Sequence, residues 1–452
     1  MAPPHEAPGL VIATGRGAGS ASPALGSAEV GVRLAWLVVV LLLPVALLNY
    51  LDRQMLAAMK FSVMGDIPTI GTEANWGRML GQFKWAYAFL SPVGGYLADR
   101  FGRRPTICLS LLLWSAVTWA TGHVTTYEGL LLTRSLMGTS EAFYIPAALA
   151  LIADHHPGRT RSRAVGLHQM AIYCGVIAGG FSGYVADGPG WRWAFLACGV
   201  AGIVYVLPLT LLLREAPGRA ASLSAERPSV ARATRELLGN GSFVLLVLYF
   251  TLPALAGWVV RDWMPAILKQ EFGISQGLAG VSATLYWQVA AIGGALVGGL
   301  LADRWSVRNV RGRIYTSAIG MGLIVPAIVG VGHAGTLGVA VAFLVLFGLG
   351  WGFFDGNNMP ILCQVVRPGL RATGYGLMNL VSISCGGFAD WGFGALRDAR
   401  VPLGATFGLF ALAAAFSVVL VLLIRPRPEL VLDPAGLSRP NPSGRARGEN
   451  GP

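Results

Sequence analysis

The sequence predicts an all-α membrane protein with twelve transmembrane helices in two repeated halves of six. Three observations carry that prediction. Hydrophobic residues make up 54% of the 452 residues and charged residues only 12%, about half the charge of an ordinary soluble domain. Twelve stretches approach the ~20 apolar residues that a membrane span needs. A charged motif closing the second stretch returns, in part, at the close of the eighth.

The composition excludes several classes at once. A mean hydropathy of +0.59 leaves too little charge to coat the surface of a cytosolic enzyme or to keep a chain disordered. Glycine, 61 residues, stands at roughly twice the usual ~7% and is commoner in membrane helices than in soluble ones. The five cysteines (Cys108, Cys174, Cys198, Cys363, Cys385) all fall in apolar runs. Their odd number and the lack of CxxC spacing argue against a disulfide framework or a metal site; they read as reduced packing residues.

In order along the chain, residues 1–33, rich in Pro, Gly, Ala and Ser, read as a disordered N-terminal tail. The spans run at about 34–58, 80–98, 106–122, 127–151, 163–186, 192–213, 241–264, 277–302, 313–333, 335–361, 371–395 and 402–424. The polar segment 214–240 is the longest break and separates an N-terminal half, 34–213, from a C-terminal half, 241–424. Residues 425–452 read as a second disordered tail. With the N-terminus inside, 24 of the 34 Lys and Arg fall in cytoplasmic segments and six in outer loops. That asymmetry predicts cytoplasmic termini.

The halves echo each other. Residues 94–104 read GGYLADRFGRR and residues 298–308 read GGLLADRWSVR; HPGRTRSRAVG at 156–166 has a weaker counterpart, RPGLRATGYG, at 367–376. Repeat-built membrane proteins with a site between the repeats are usually transporters. GYLADRFGRR after span two resembles the signature loop of the major facilitator superfamily, and the partial copy, the six-plus-six division and the long central loop agree. The resemblance implies two six-helix bundles related by a pseudo-two-fold axis along the membrane normal, around a cavity that opens to alternate sides. NYLDR (49–53), GYLADRFGRR and RSLMGTSEAFYIPA (134–147) resemble the anion:cation symporter branch, which carries sugar acids and other organic anions, usually with protons. The same positions also resemble spinster-like transporters.

Ionised groups inside a membrane cost ~2.5–3.5 kcal/mol each on insertion scales, so they tend to face a cavity and to be paired. Asp52 and Arg53 are adjacent late in span one, about 100° apart on a helix. Arg134 and Glu141 lie seven residues, two turns, apart in span four. A carboxylate balanced between desolvation and a nearby guanidinium can gain and lose a proton near neutral pH, and arginine binds carboxylates bidentately. By resemblance, Asp52 and Glu141 match proton-coupling acids, and Arg53 and Arg134 match substrate-binding or gating arginines. The competing reading is ion pairing that holds spans one and four together.

Lys84, where related symporters carry an apolar or aromatic residue, is a candidate third cation for an anionic substrate or a lysine snorkelling outward. Asp355, Asn357 and Asn358 in GWGFFDGNNMP of span ten are candidate C-half substrate contacts, and Tyr50 and Gln169 candidate hydrogen-bonding groups. Arg261 and Asp262 read as an outer anchor or gate of span seven, with Asp390 a weaker case in span eleven. The resemblance makes Asp99, Arg100 and Arg103 a gate, with Asp303 and Arg304 an incomplete copy. Gly175, Gly179 and Gly183 in span five, and Gly294 and Gly298 in span eight, are spaced for close helix contact.

Asp154-His155-His156 reads as loop chemistry rather than a metal site. The motifs HExxH, GxxxxGK[ST] and GxSxG are absent, so no enzyme and no cofactor is expected. The expectation is a monomeric, proton-coupled symporter of an organic anion such as a sugar acid in a bacterial inner membrane, with no nucleic-acid partner. A neutral sugar or amphipathic lipid as cargo, or a non-transporting sensor, are the alternatives.

Overall fold

The computed structural model describes residues 23–156, 160–216, 230–427 and 430, with the side chains of 23–31, 95, 99 and 230 outside the description. The helices are α1 (Pro23–Ala58), α2 (Lys60–Asp66), α3 (Glu73–Phe101), α4 (Arg103–Thr121), α5 (Tyr127–Glu141), α6 (Tyr144–His155), α7 (Arg161–Asp187), α8 (Trp191–Leu212), α9 (Val230–Leu238), α10 (Gly241–Phe272), α11 (Gln276–Ser306), α12 (Gly312–Gly332), α13 (Leu337–Val365), α14 (Arg371–Asp398) and α15 (Leu403–Leu423). All twelve expected spans are present. The fourth is α5 and α6 in series, and α9 lies in the central linker.

Nine spans are long and apolar enough to cross a membrane by hydropathy alone among the described residues. The three that fall short are α3, α4 and α14. Two of them, α3 and α14, pack on each other along their lengths, so polar residues that depress their hydropathy face protein instead of lipid.

Two features depart from the sequence expectation. The tail predicted over 1–33 is helical from Pro23, because its last proline stands at the first helical position, where a missing N–H costs nothing. Residues 1–22 and, apart from Leu430, 428–452 lie outside the described ones. The fourth span breaks at Ala142 and Phe143. Pro146 has no N–H for the Ala142 carbonyl, which removes one rung of the helix. The break lies against Gly94 of α3, where a Cβ would stand 2.8 Å from the Ala142 carbonyl oxygen.

Four helices start on the face opposite to the start of α1, hereafter the far face, with a hydroxyl N-cap. Thr72, Thr126, Ser275 and Thr336 accept from the N–H three residues on, at 3.1, 3.2, 3.1 and 3.4 Å. They open spans two, four, eight and ten, the same positions in each half.

The two six-helix bundles meet through α3 against α14, α7 against α11, and α1 against α10. Small residues set the distance. A Cβ on Gly81 would stand 2.7 Å from the Gly387 carbonyl oxygen, and one on Gly280 would overlap the Gly180 carbonyl. Among the described residues, the hydrogen bonds and ion pairs joining the bundles lie between mid-helix and the far face: Gln54 with Arg261, Ser62 with Gln276, Lys84 with Asp262 and Asp390, Trp85 with the Ser384 carbonyl, Asp187 with Gln276 and Gly277, and Asp398 with Glu73 and Ala74. The bundles are therefore sewn together on the far face.

Candidate functional site

Just below the far-face closure, α1 delivers Asp52 and Arg53 in different directions. Asp52 is buried and its Oδ2 accepts from Thr118 of α4 at 3.1 Å. Arg53 turns toward span four, where its Nε donates to Glu141 Oε2 at 2.5 Å. The side chain of Glu141 is 0% exposed and that of Arg53 11%. The partner of Glu141 is thus Arg53, 88 residues away in sequence, and among the described residues no ion pair joins Glu141 to Arg134. The local reason is spacing: Glu141, the last residue of α5, stands two turns, about 10 Å, along that helix from Arg134, whose Nη1 donates instead to the Met137 sulfur at 3.0 Å.

Aromatic rings hold the guanidinium groups. Arg53 sits 4.8, 4.9 and 4.6 Å from the ring centres of Tyr50, Phe83 and Tyr87. Arg134 sits 4.6 Å from the Phe83 ring, and Arg261 lies 5.0 Å from Tyr50 and 5.6 Å from Trp258. Phe83 is thus shared by Arg134 and Arg53, and Tyr50 by Arg53 and Arg261. This string of three guanidiniums over two rings crosses from one bundle to the other. Such contacts contribute ~0.5–2 kcal/mol each, more as water is excluded. Among the described residues, only Glu141 is in direct ionic contact with the string. Arg261 makes a 3.4 Å contact to Gln54 Oε1, while Gln54 donates to the Arg261 carbonyl at 2.9 Å. Both nitrogen and oxygen of the Asn49 amide, Asp52 Oδ1, Arg53 Nη2 and Glu141 Oε1 are buried without partners among the described residues.

Lys84 is placed differently from the expectation of a cation open to substrate. Its ammonium, buried in α3, donates to Asp262 of α10 at 2.5 Å and also to Asp390 of α14, and lies 4.4 Å from the Trp258 ring centre. Asp262 is accordingly not an interfacial anchor, and Asp390 is not peripheral. Sequence reasoning missed Arg261, Trp258, Phe83 and Tyr87 as part of this centre. The one available signal was the adjacency of an arginine and an aspartate within the apolar α10.

The remaining candidates fall in three groups. Asp355 is exposed on α13, and its charge reaches Tyr173 and Tyr375; Gln169 is half-buried one turn from Tyr173. Asn357 and Asn358 are sealed inside their own bundle, a correction to the reading of their amides as ready substrate contacts. Asn357 donates to the Phe353 carbonyl of its own helix at 2.9 Å, and Asn358 has no partner among the described residues. Helical geometry accounts for Asn357, which at two residues beyond Asp355 points about 160° away from it; Asn358, three beyond, lies only about 60° to its side yet is also buried.

In the signature loops, Arg103 pairs with Asp154 and Asp303 with Arg313 at 2.6 Å. Each of these pairs stays within one bundle. Arg100 and Arg304 are exposed, and the Asp99 side chain lies outside the described ones. His156 is held by Thr160 and the Ala35 carbonyl, at 2.9 and 3.1 Å, and no His/Cys/Asp/Glu group suited to a metal occurs among the described residues. The glycines divide their work. Gly175 and Gly179 face α1, and Gly294 and Gly298 face α13, each within a bundle; Gly183 faces Gln276 across the bundle interface.

The model of the Major Facilitator Superfamily matches residues 42–389 of this chain. Among curated proteins, the chain is 29% identical to Protein spinster homolog 1 of Xenopus tropicalis over 372 residues, 76% of this chain and 69% of that one. Among solved structures, it matches a bacterial homolog to the human lysosomal transporter Spinster in an inward-facing, unoccupied conformation. The TM-score is 0.68 at 21% identity, covering 86% of this chain and 95% of that one. A D-xylose-proton symporter gives the same TM-score at 17% identity, covering 86% and 97%.

Proposed function

Because the chain belongs to the Major Facilitator Superfamily, and so is a membrane transporter of a small molecule rather than an enzyme, we propose that it moves an organic anion such as a sugar acid together with a proton by alternating access. The observation that carries this reading is the guanidinium string: Arg134, Arg53 and Arg261 share the rings of Phe83 and Tyr50, with Glu141, among the described residues, the one carboxylate in direct contact. Each of the three guanidiniums has a buried N–H without a partner among the described residues, and their planar forks match a carboxylate. Glu141 and Asp52 are the proton carriers. When a proton neutralises Glu141, Arg53 is released to the substrate, and the two charges move together. Asp355 and Tyr173 line the approach from the face where α1 begins. We read that face as cytoplasmic, a reading its excess of Lys and Arg supports, with both termini on the cytoplasmic side of a bacterial inner membrane and the arrangement inward-facing. Arg100, Arg103, Asp303 and Arg304 would gate the same face, and the working unit is a monomer.

A second reading, an amphipathic lipid as cargo, is favoured by one feature. An apolar groove of about 520 Å³ runs between α1, α7 and α8, lined by Leu43, Leu47, Leu167, Met170 and Tyr205 among others, a size suited to an acyl chain.

Proteoliposomes with an imposed pH gradient, offered sugar acids, neutral sugars and lysolipids, separate these readings. Accumulation of a sugar acid that collapses with the gradient is the expected result. Gradient-driven uptake of only neutral sugars or lysolipids would overturn the anion assignment.

A further inference from the structure

The Lys84 triad stands apart from the groups used above. One ammonium from the N-terminal bundle faces two carboxylates from the C-terminal bundle, on separate helices α10 and α14. All three side chains are buried. Lys84 and Asp390 lie about 17 and 12 Å along their helices from the far-face ends, at 1.5 Å per residue. Asp390 Oδ1 is buried and accepts no hydrogen bond among the described residues; the Trp263 indole comes near it with its own N–H unpartnered. The triad itself carries one negative charge in excess.

The charged surroundings are few. Arg134 of α5 is within electrostatic reach of Asp262, and so is Arg261, the next residue on α10, whose head turns to Tyr50 and Gln54. Nearer the far face, Lys60 pairs with Glu73, and Asp398 caps α3. Against α10, α1 brings Asp52 and Arg53, α15 carries no charged residue and α11 none before Asp303.

We propose that the Asp262–Asp390 pair is a second proton-binding site, at which Lys84 acts as a tethered competitor for the proton. With the far face closed, the ammonium occupies the site. Opening draws α3 away from α10 and α14 and takes Lys84 with it. Two carboxylates facing each other inside a membrane cannot both stay ionised without a cation, so one binds a proton from the far-face solution. Closure reverses the exchange: the O–H bond breaks, the proton returns to that solution, and the ammonium re-enters. The site lies on the C-terminal bundle, is separate from Asp52 and Glu141, and does not depend on the nature of the cargo.

The test uses the full chain in nanodiscs, with spin labels at Thr125 and Gly335 on the far face, in a background free of native cysteines that still folds. Distance distributions read the open-to-closed ratio against pH, without any substrate. In the parent protein the ratio is expected to rise as pH falls, by up to about tenfold per pH unit, the limit for one proton taken up on opening. The D262N/D390N protein is expected to favour the open form with little pH response. Asp390→Asn alone, which leaves a neutral Lys84–Asp262 pair, shifts the response to lower pH. Lys84→Arg keeps closure and response. An unchanged pH response in D262N/D390N would overturn the proposal, as would a parent protein with no response. So would a response that vanishes only with Glu141→Gln or Asp52→Asn.

Discussion

Asp187 and Asp398 hold equivalent places in the two halves, each closing the first turn of a helix in the opposite bundle. Asp187, last in α7, accepts from the Gly277 N–H at 2.9 Å and from the Gln276 amide at 3.2 Å at the start of α11. Asp398, last in α14, accepts from the N–H groups of Glu73 and Ala74 at 3.0 and 2.8 Å at the start of α3. Span five thus caps span eight, and span eleven caps span two, as a pseudo-two-fold axis requires. A carboxylate at a helix N-terminus contributes roughly 0.3–1 kcal/mol at an exposed site. Removing both with Asp187→Ala and Asp398→Ala should therefore shift the far face toward the open form by roughly 3- to 30-fold. Far-face distance measurements check this, and each single change should give about half the free-energy effect.

Closure also needs bare backbone at the crossing of α7 and α11. A Cβ on Gly180 would overlap Thr284 Oγ1 and stand 2.7 Å from the Gly280 carbonyl oxygen, both on the opposite bundle. Gly180→Val should leave each bundle folded while preventing the two from meeting. Expected are a monodisperse protein, far-face sites open to a membrane-impermeant thiol reagent, and loss of transport. Normal uptake would show that this contact does not limit closure.

Arg261 distinguishes an anionic cargo from a neutral one. Arg261→Lys keeps the charge but loses the planar fork over Tyr50 and Trp258. A hydrogen bond to a charged group is worth about 1.5–3 kcal/mol, so KM for a sugar acid should rise roughly 10- to 100-fold. Uptake of a neutral analogue, if any occurs, should not change. Equal effects on both would assign Arg261 to structure instead.

The spans were legible because membrane insertion writes itself into local composition, and the loops after spans two and eight because they repeat. The site was legible only as a set of types. Glu141 was readable as a buried acid, with a tie between spans one and four as one of its two readings, but the sequence does not say which arginine makes that tie. Arg134 shares the helix of Glu141 but stands two turns, about 10 Å, away, and the partner is Arg53 on span one, 88 residues away in sequence. Lys84 was visible as an oddity, but its two acids lie 178 and 306 residues away. No local pattern encodes a contact made only when two bundles close. The break after Glu141 is the exception, since Pro146 marks it locally.

Outside the membrane, Glu236 of α9 and Arg367 form a two-bond ion pair, 2.7 Å at each contact. The hydrogen bond to Arg367 lowers the Glu236 pKa below the usual carboxylate range and raises that of Arg367. A depressed acid contributes stability above its unfolded pKa of about 4.3, and that contribution is lost as pH falls through the lower folded value. Hydrogen exchange of α9 should therefore be insensitive to this pair between pH 8 and 5. Below that range α9 protection should decline, and Glu236→Gln should remove the decline.

Glu141 carries the sharpest consequence of the proposed function. Its side chain is fully buried, with Oε2 on Arg53 and Oε1 without a hydrogen-bond partner among the described residues. Glu141→Gln fixes the neutral, proton-loaded form while keeping the shape, so Arg53 stays available to substrate throughout the cycle. Accumulation against a gradient should be abolished, and exchange of labelled for unlabelled cargo across the membrane should persist at a comparable rate, because exchange needs no net proton movement. Both are read in one proteoliposome preparation by switching the trans compartment. If uphill uptake survives in Glu141→Gln, the ion pair with Arg53 serves only to tie α1 to α5, and the coupling proton rides elsewhere. If exchange is lost along with uptake, the carboxylate is needed to hold Arg53 in place, and Glu141→Asp should then restore exchange in part.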